Sequence, residues 1–188
     1  MSFFTFASLI SSFISNIIMS NQEDRVSEAV ALFKSGFNCS QSVVAAFADK
    51  LGLSRQQALL VSASFGGGIG RMRETCGAAC GIFLLAGLKY GTTDSKDSEG
   101  KGENYRIVQE LAEQFKQENG WLKCRDLLGL DTDGKETHTP EARTSAYYAK
   151  RPCVKIVEAA ARIWADYEKA HPTKDEESIS SSSLQTNP

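Results

Sequence analysis

Two short runs constrain this chain more than any others. Asn38-Cys-Ser-Gln41 and Ser54-Arg-Gln-Gln57 each set a capping side chain three residues ahead of a glutamine. That reciprocal pairing satisfies the free backbone N–H groups at a helix start. Behind the first run, Cys39, Val43, Ala46, Phe47 and Leu51 recur at helical spacing; behind the second come Ala58, Leu59, Val61 and Ala63. Ahead of both, Val26, Ala29, Val30 and Phe33 repeat in the same way and stop at Gly36, a helix C-terminal signal.

The same pattern continues down the chain. Thr75 is placed to cap a helix running through Cys76, Cys80, Phe83, Leu84, Gly87 and Leu88 to about Tyr90. A longer helix is predicted from about Glu103 to Asn119, with Tyr105, Val108, Leu111, Ala112 and Phe115 inward and Gly120 as its end. Cys124 to Gly129 reads as a short helix and Glu141 to Ala149 as a weak one. Pro152 stands at the favoured first turn of a last helix from Cys153 to about Ala170. Between these lie a glycine-rich loop, Phe65-Gly-Gly-Gly-Ile-Gly-Arg71, and polar connections at Gly91 to Gly102 and Asp131 to Pro140. No segment of convincing length alternates with period two, and no repeat marks a solenoid. The expected fold is all-α, a compact bundle of about six to eight helices.

At 188 residues the chain suits one domain, assigned to residues 21–172. Residues 1–20 form a leader without Lys or Arg, so no secretory signal is expected. Its Ser8, Ser11, Ser12 and Ser15 line one face, against Phe6, Leu9, Ile10, Phe13, Ile14 and Ile17 on the other, which argues against a membrane-spanning helix. A docking helix, a membrane-surface helix and translation upstream of the natural start stay open. Residues 173–188 are Ser-rich and expected to be disordered. The net charge of −2 argues against a nucleic-acid partner, and two histidines are too few for a histidine-rich metal site.

Five cysteines stand at 39, 76, 80, 124 and 153. An odd, dispersed set is not a secreted disulfide framework, so a reducing cytoplasm is the expected setting. Cys39, Cys76, Cys124 and Cys153 each fall at a predicted helix N-terminus, where backbone N–H groups and the helix dipole favour a thiolate. Arg71, Arg73, Lys123, Arg125, Lys150, Arg151 and Lys155 add positive charge nearby. The competing reading is packing, since cysteine is a small hydrophobe that buries readily.

Cys76 and Cys80 are one turn apart and form no CxxC motif. Gly77 and Gly81, with Ala78 and Ala79 between, make a patch that admits a second backbone or a bulky inorganic cluster. The glycine-rich loop lacks the Lys-Ser/Thr ending of a phosphate loop, and Asp131-Thr-Asp133-Gly134 lacks the terminal glutamate of a calcium loop.

Gly36-Phe-Asn-Cys39-Ser-Gln-Ser-Val, Phe65-Gly-Gly-Gly-Ile-Gly-Arg71, Cys76-Gly-Ala-Ala-Cys-Gly81, Gly87-Leu-Lys-Tyr-Gly91, Cys124-Arg-Asp-Leu-Leu-Gly129 and Pro152-Cys153-Val occur in that order. Together these blocks resemble the C_GCAxxG_C_C family, whose label assigns redox activity on the strength of its cysteines and names no substrate. The resemblance runs from about Glu23 to Tyr167. It implies Cys39, Cys76, Cys124 and Cys153 as the family cysteines, with Cys80 an addition. Residues 76–78 read Cys-Gly-Ala where the family name reads Gly-Cys-Ala.

The expectation is therefore a redox protein with the four cysteines as its reactive groups. Cys76 would cycle between dithiol and disulfide with Cys39 or Cys153, in exchange with an unidentified redox partner. The alternative is an iron–sulfur cluster held by Cys39, Cys76, Cys124 and Cys153, with Cys80, Gly77 and Gly81 against the cofactor. A third reading leaves the cysteines as core residues. A bundle with an apolar face also suggests a homodimer.

Overall fold

The computed structural model describes residues 22–131 and 137–173. The leader over 1–20, the tail beyond Thr173 and the middle of the 131–140 connection lie outside the described residues. The described chain is all-helical and has no strand. Its eight α-helices are α1 (22–34), α2 (Cys39–Phe47), α3 (Arg55–Ser62), α4 (Gly77–Tyr90), α5 (Ser98–Asn119), α6 (Cys124–Leu127), α7 (Ser145–Lys150) and α8 (Cys153–Ala170).

Both capping boxes form. The Asn38 side chain accepts from the Gln41 amide at 3.0 Å, while the Gln41 side chain accepts from the Asn38 amide at 3.1 Å. Ser54 and Gln57 repeat the arrangement at the start of α3. Each box fixes the first turn of its helix and hence the direction in which it leaves the loop.

α2 is the axis of the bundle, buried from Ser42 through Phe47 and packed on α3, α4 and α8. Its approach to α4 is close because α4 opens with small residues. A Cβ at Gly81 would sit 2.9 Å from the Val43 Cβ, so only glycine lets the two helices meet there. α8 turns Ile156, Val157, Ala160, Ala161 and Trp164 inward, and Trp164 is fully buried. α1 buries Val26, Ala29, Leu32 and Phe33, and Gln22 donates to the Ala165 carbonyl of α8 at 2.7 Å. α1 is also pinned by the Arg25–Asp49 ion pair at 2.6 Å and by Tyr148 donating to the Phe33 carbonyl at 3.2 Å.

Several local expectations are corrected. Thr75 caps nothing; Cys76 itself is the N-cap of α4, and Thr75 pairs with Lys123 in an isolated antiparallel bridge. α5 begins at Ser98 rather than Glu103, because the Asp97 side chain accepts from the Gly100 amide and starts the helix through glycines that read as loop. Its inward face carries Ile107, Leu111 and Phe115, while Tyr105 is 64% exposed. In α3 only Ala58 of the expected face is buried, with Val61 exposed and Ala63, just past the helix, also outside.

Candidate functional site

The starts of α2, α4, α6 and α8 meet at one end of the bundle. Cys39, Cys124 and Cys153 are the first residues of α2, α6 and α8, and Cys76 is the cap of α4. Their side chains, with Gly77, Leu127, Leu128 and Ile156, line one cavity of about 10 Å³. Backbone pairing holds two of these starts together. The Cys76 amide donates to the Leu122 carbonyl at 2.9 Å, and the Cys124 amide donates to the Glu74 carbonyl at 2.7 Å.

The glycine-rich loop lies against this cluster. Gly68 has φ +72°, and a Cβ there would fall 2.6 Å from the Cys124 Cβ. Both the backbone conformation and the contact therefore demand glycine. The same loop turns back through positive φ at Ile69, Arg71 and Arg73, which brings the Arg73 side chain to Cys124.

Outside the thiols lies an open cleft of about 270 Å³. Cys39, Cys124 and Cys153 reach it, whereas Cys76 does not. Four guanidinium groups line it, Arg71, Arg73, Arg143 and Arg151, with Glu141 as the facing carboxylate. Arg73 is only 4% exposed. Arg71 donates to the Thr137 carbonyl at 2.8 Å, and Glu141 pairs with Arg151. Arg143 rests 4.6 Å from the centre of the Phe33 ring and 4.8 Å from that of Tyr147.

These surroundings separate the thiols. Cys153 is lowered to about 7, chiefly because the Cys39 thiol hydrogen-bonds to it; Arg151, Arg143 and Arg73 lower it further against the effect of burial. Cys39 is pushed well above the usual thiol range by the same hydrogen bond and by burial. Burial raises Cys76 to about 12, although the Ala78 and Ala79 amides pull the other way. Burial also raises Cys124, against a hydrogen bond and the charge of Arg73. Four cysteines thus occupy helix starts as the sequence suggests, but burial dominates at Cys76 and Cys124, the pairing with Cys153 raises Cys39 first and burial second, and only Cys153 is lowered.

The cysteine blocks that converge here also match a known family. A family model described as Putative redox-active protein (C_GCAxxG_C_C) matches residues 37–167. The chain belongs to this family. No curated protein and no solved structure matches the chain.

The C_GCAxxG_C_C match takes in all five cysteines, yet Cys80 stands apart from the other four. It does not line the cavity, it contacts the Thr75 carbonyl at 3.8 Å, and burial raises it to about 11. Gly81 likewise serves the α2–α4 contact, while Gly77 borders the cavity and lies against the Phe65 carbonyl and Cys39. Among the described residues, no three His, Cys, Asp or Glu side chains are grouped to hold a metal ion. The four sulfurs have the ligand number of an iron–sulfur cluster, and the cavity they share, about 10 Å³ as the side chains stand, has room for about one water. No helix among the described residues is long and apolar enough to cross a membrane.

Arg143 is the site residue that the sequence does not reveal. It sits in a weakly patterned stretch, and its relation to Cys153 depends on how α7 folds back over α1. An arginine within a Thr/Ala-rich run carries no spacing signal that would single it out.

Proposed function

We propose that this protein carries out dithiol–disulfide exchange, with Cys153 as the attacking thiolate and Cys39 as the resolving thiol. The observation that supports this most directly is that Cys39 and Cys153 line both the thiol cavity and the cleft, with Cys153 lowered to about 7. A thiol whose pKa lies near ambient pH combines a useful thiolate fraction with retained nucleophilicity. Cys76, pushed to about 12 and absent from the cleft, is a poor attacker, so the leading role passes from Cys76 to Cys153.

The exchange takes two steps. The Cys153 thiolate attacks one sulfur of a substrate disulfide, forms a mixed disulfide and expels the other sulfur as a thiolate that takes up a proton. Cys39, deprotonated in turn, attacks the Cys153 sulfur and expels the second substrate thiol. The substrate gains two electrons and two protons, and the protein holds a Cys39–Cys153 disulfide. A reducing compartment keeps the starting thiols available, which supports a cytoplasmic setting.

The test is anaerobic purification with iron and acid-labile sulfide measured per chain, followed by oxidation with a neutral small disulfide and disulfide mapping. Iron-free protein that forms a Cys39–Cys153 bond, lost in Cys153→Ser, is the expected result. Stoichiometric iron with sulfide would turn the four cysteines into cluster ligands and overturn the reading.

A further inference from the structure

Building on that reading, we infer that the cleft selects a low-molecular-weight disulfide bearing carboxylates as the oxidant of the Cys39–Cys153 pair. Size sets the first limit. A cleft of about 270 Å³ lies near the lower end of small-molecule sites, so it suits a ligand of a few residues' bulk.

Charge sets the second. Among the described residues, Arg71, Arg73, Arg143 and Arg151 line the cleft with Glu141 as the carboxylate, in a chain whose net charge is −2. The positive charge is therefore a local arrangement and not a property of the whole surface. Within a recess it attracts anions and repels cations. Guanidinium groups in particular match carboxylates, because their paired N–H donors fit both oxygens.

Arg143 supplies the third argument. Its Nη2 donates to the Phe37 carbonyl at 3.4 Å and its plane rests on Phe33 and Tyr147. Its Nη1 is buried and has no hydrogen-bond partner among the described residues. A buried charged donor left without an acceptor is costly, and because Arg143 lines the cleft, a rotation of its guanidinium toward a bound anion would give that donor an acceptor.

The position of these charges also ties recognition to chemistry. Arg151 and Arg143 are among the groups that lower Cys153, so the carboxylates of a bound disulfide are recruited beside the attacking sulfur. Cys153 takes one sulfur of the ligand, the first small thiol leaves, and Cys39 releases the second. One small disulfide becomes two small thiols, and the protein dithiol supplies both electrons.

The experiment measures oxidation of the reduced full-length protein by three probes: glutathione disulfide, which is anionic, hydroxyethyl disulfide, which is neutral, and cystamine, which is cationic. At low salt, glutathione disulfide should outpace cystamine by about tenfold or more, and the gap should shrink as salt rises. Arg143→Gln should bring the glutathione-to-neutral rate ratio toward one; taking the ratio cancels any change in Cys153 itself. Arg71→Gln should lower the same ratio and serves if Arg143→Gln fails to fold. Equal rates for the three probes would overturn this inference and leave dithiol exchange standing. Failure of all three to oxidise Cys39 and Cys153 would overturn both.

Discussion

Cys39 and Cys153 line the same cavity and the same cleft, and their thiols respond to each other in opposite directions, Cys39 up and Cys153 down. One residue starts α2 and the other starts α8, so the pairing exists only once the bundle has closed. A shared proton of this kind makes one sulfur the anion and the other its donor.

The alkylation rate of Cys153 should rise with pH through a midpoint of about 7, with Cys76 and Cys80 unreactive until far more alkaline conditions. Cys39→Ala removes the donor and should move that midpoint upward. Site-resolved iodoacetamide labelling by mass spectrometry reads both results. A Cys153 midpoint near the ordinary value of 9.0 in the unmodified protein would refute the assignment.

The same shift has a stability consequence. A depressed thiol pKa means that the unfolded chain binds more protons than the folded one between about 7 and 9.0. Stability from this group is therefore present above the unfolded value and lost as pH falls through about 7. Relative to Cys153→Ser, the reduced protein should gain stability across that window, as measured by urea unfolding at several pH values.

Asn38→Ala should cost about 1–2 kcal/mol, because the cap acceptor is lost at a partly buried helix start. Asn38 also donates to the Ala63 carbonyl at 2.8 Å, so the change loosens the glycine-rich loop as well as α2. Urea unfolding gives the cost, and faster labelling of Cys39 would report the frayed start. Unchanged stability would show that Gln41 alone fixes the turn.

Gly68→Ala should destabilise by roughly 1–3 kcal/mol through overpacking against Cys124, with left-handed backbone strain in addition. Cys80→Ala, by contrast, should cost roughly 1 kcal/mol of packing and leave oxidation of the Cys39–Cys153 pair unaltered. Thermal or urea unfolding and disulfide mapping distinguish the two. Loss of oxidation in Cys80→Ala would place that thiol in the chemistry.

Much of the fold was legible because its signals are local. The Asn38 and Ser54 boxes act within a few residues of themselves, so their placement survives folding unchanged, while Pro152 shifts by one place to cap α8. Thr75 misled because its backbone is claimed by Lys123, a partner distant in sequence. Gly100 and Gly102 misled because a single carboxylate, Asp97, overrides their weak helical tendency. At the site, the four helix-start cysteines could be picked out, but their ionisation could not. The dipole is a sequence-local effect, whereas burial, Arg143 and the Cys39–Cys153 contact depend on the assembled bundle.

The Thr75–Lys123 bridge separates two kinds of change open to this chain over evolution. The segments before Cys76 and Cys124 are clipped to each other by main-chain bonds, which depend little on side-chain identity. The spacing of those two sulfurs is therefore set at the clip and not by the long excursion through α4 and α5 that joins them. The exposed turn around 92–96 can lengthen or shorten, and the solvent face of α5 can drift, without resetting the thiol cluster. The Gly68 contact has no such slack, so descendants of this sequence should vary freely in that turn and on that outer face, and hardly at all at Gly68.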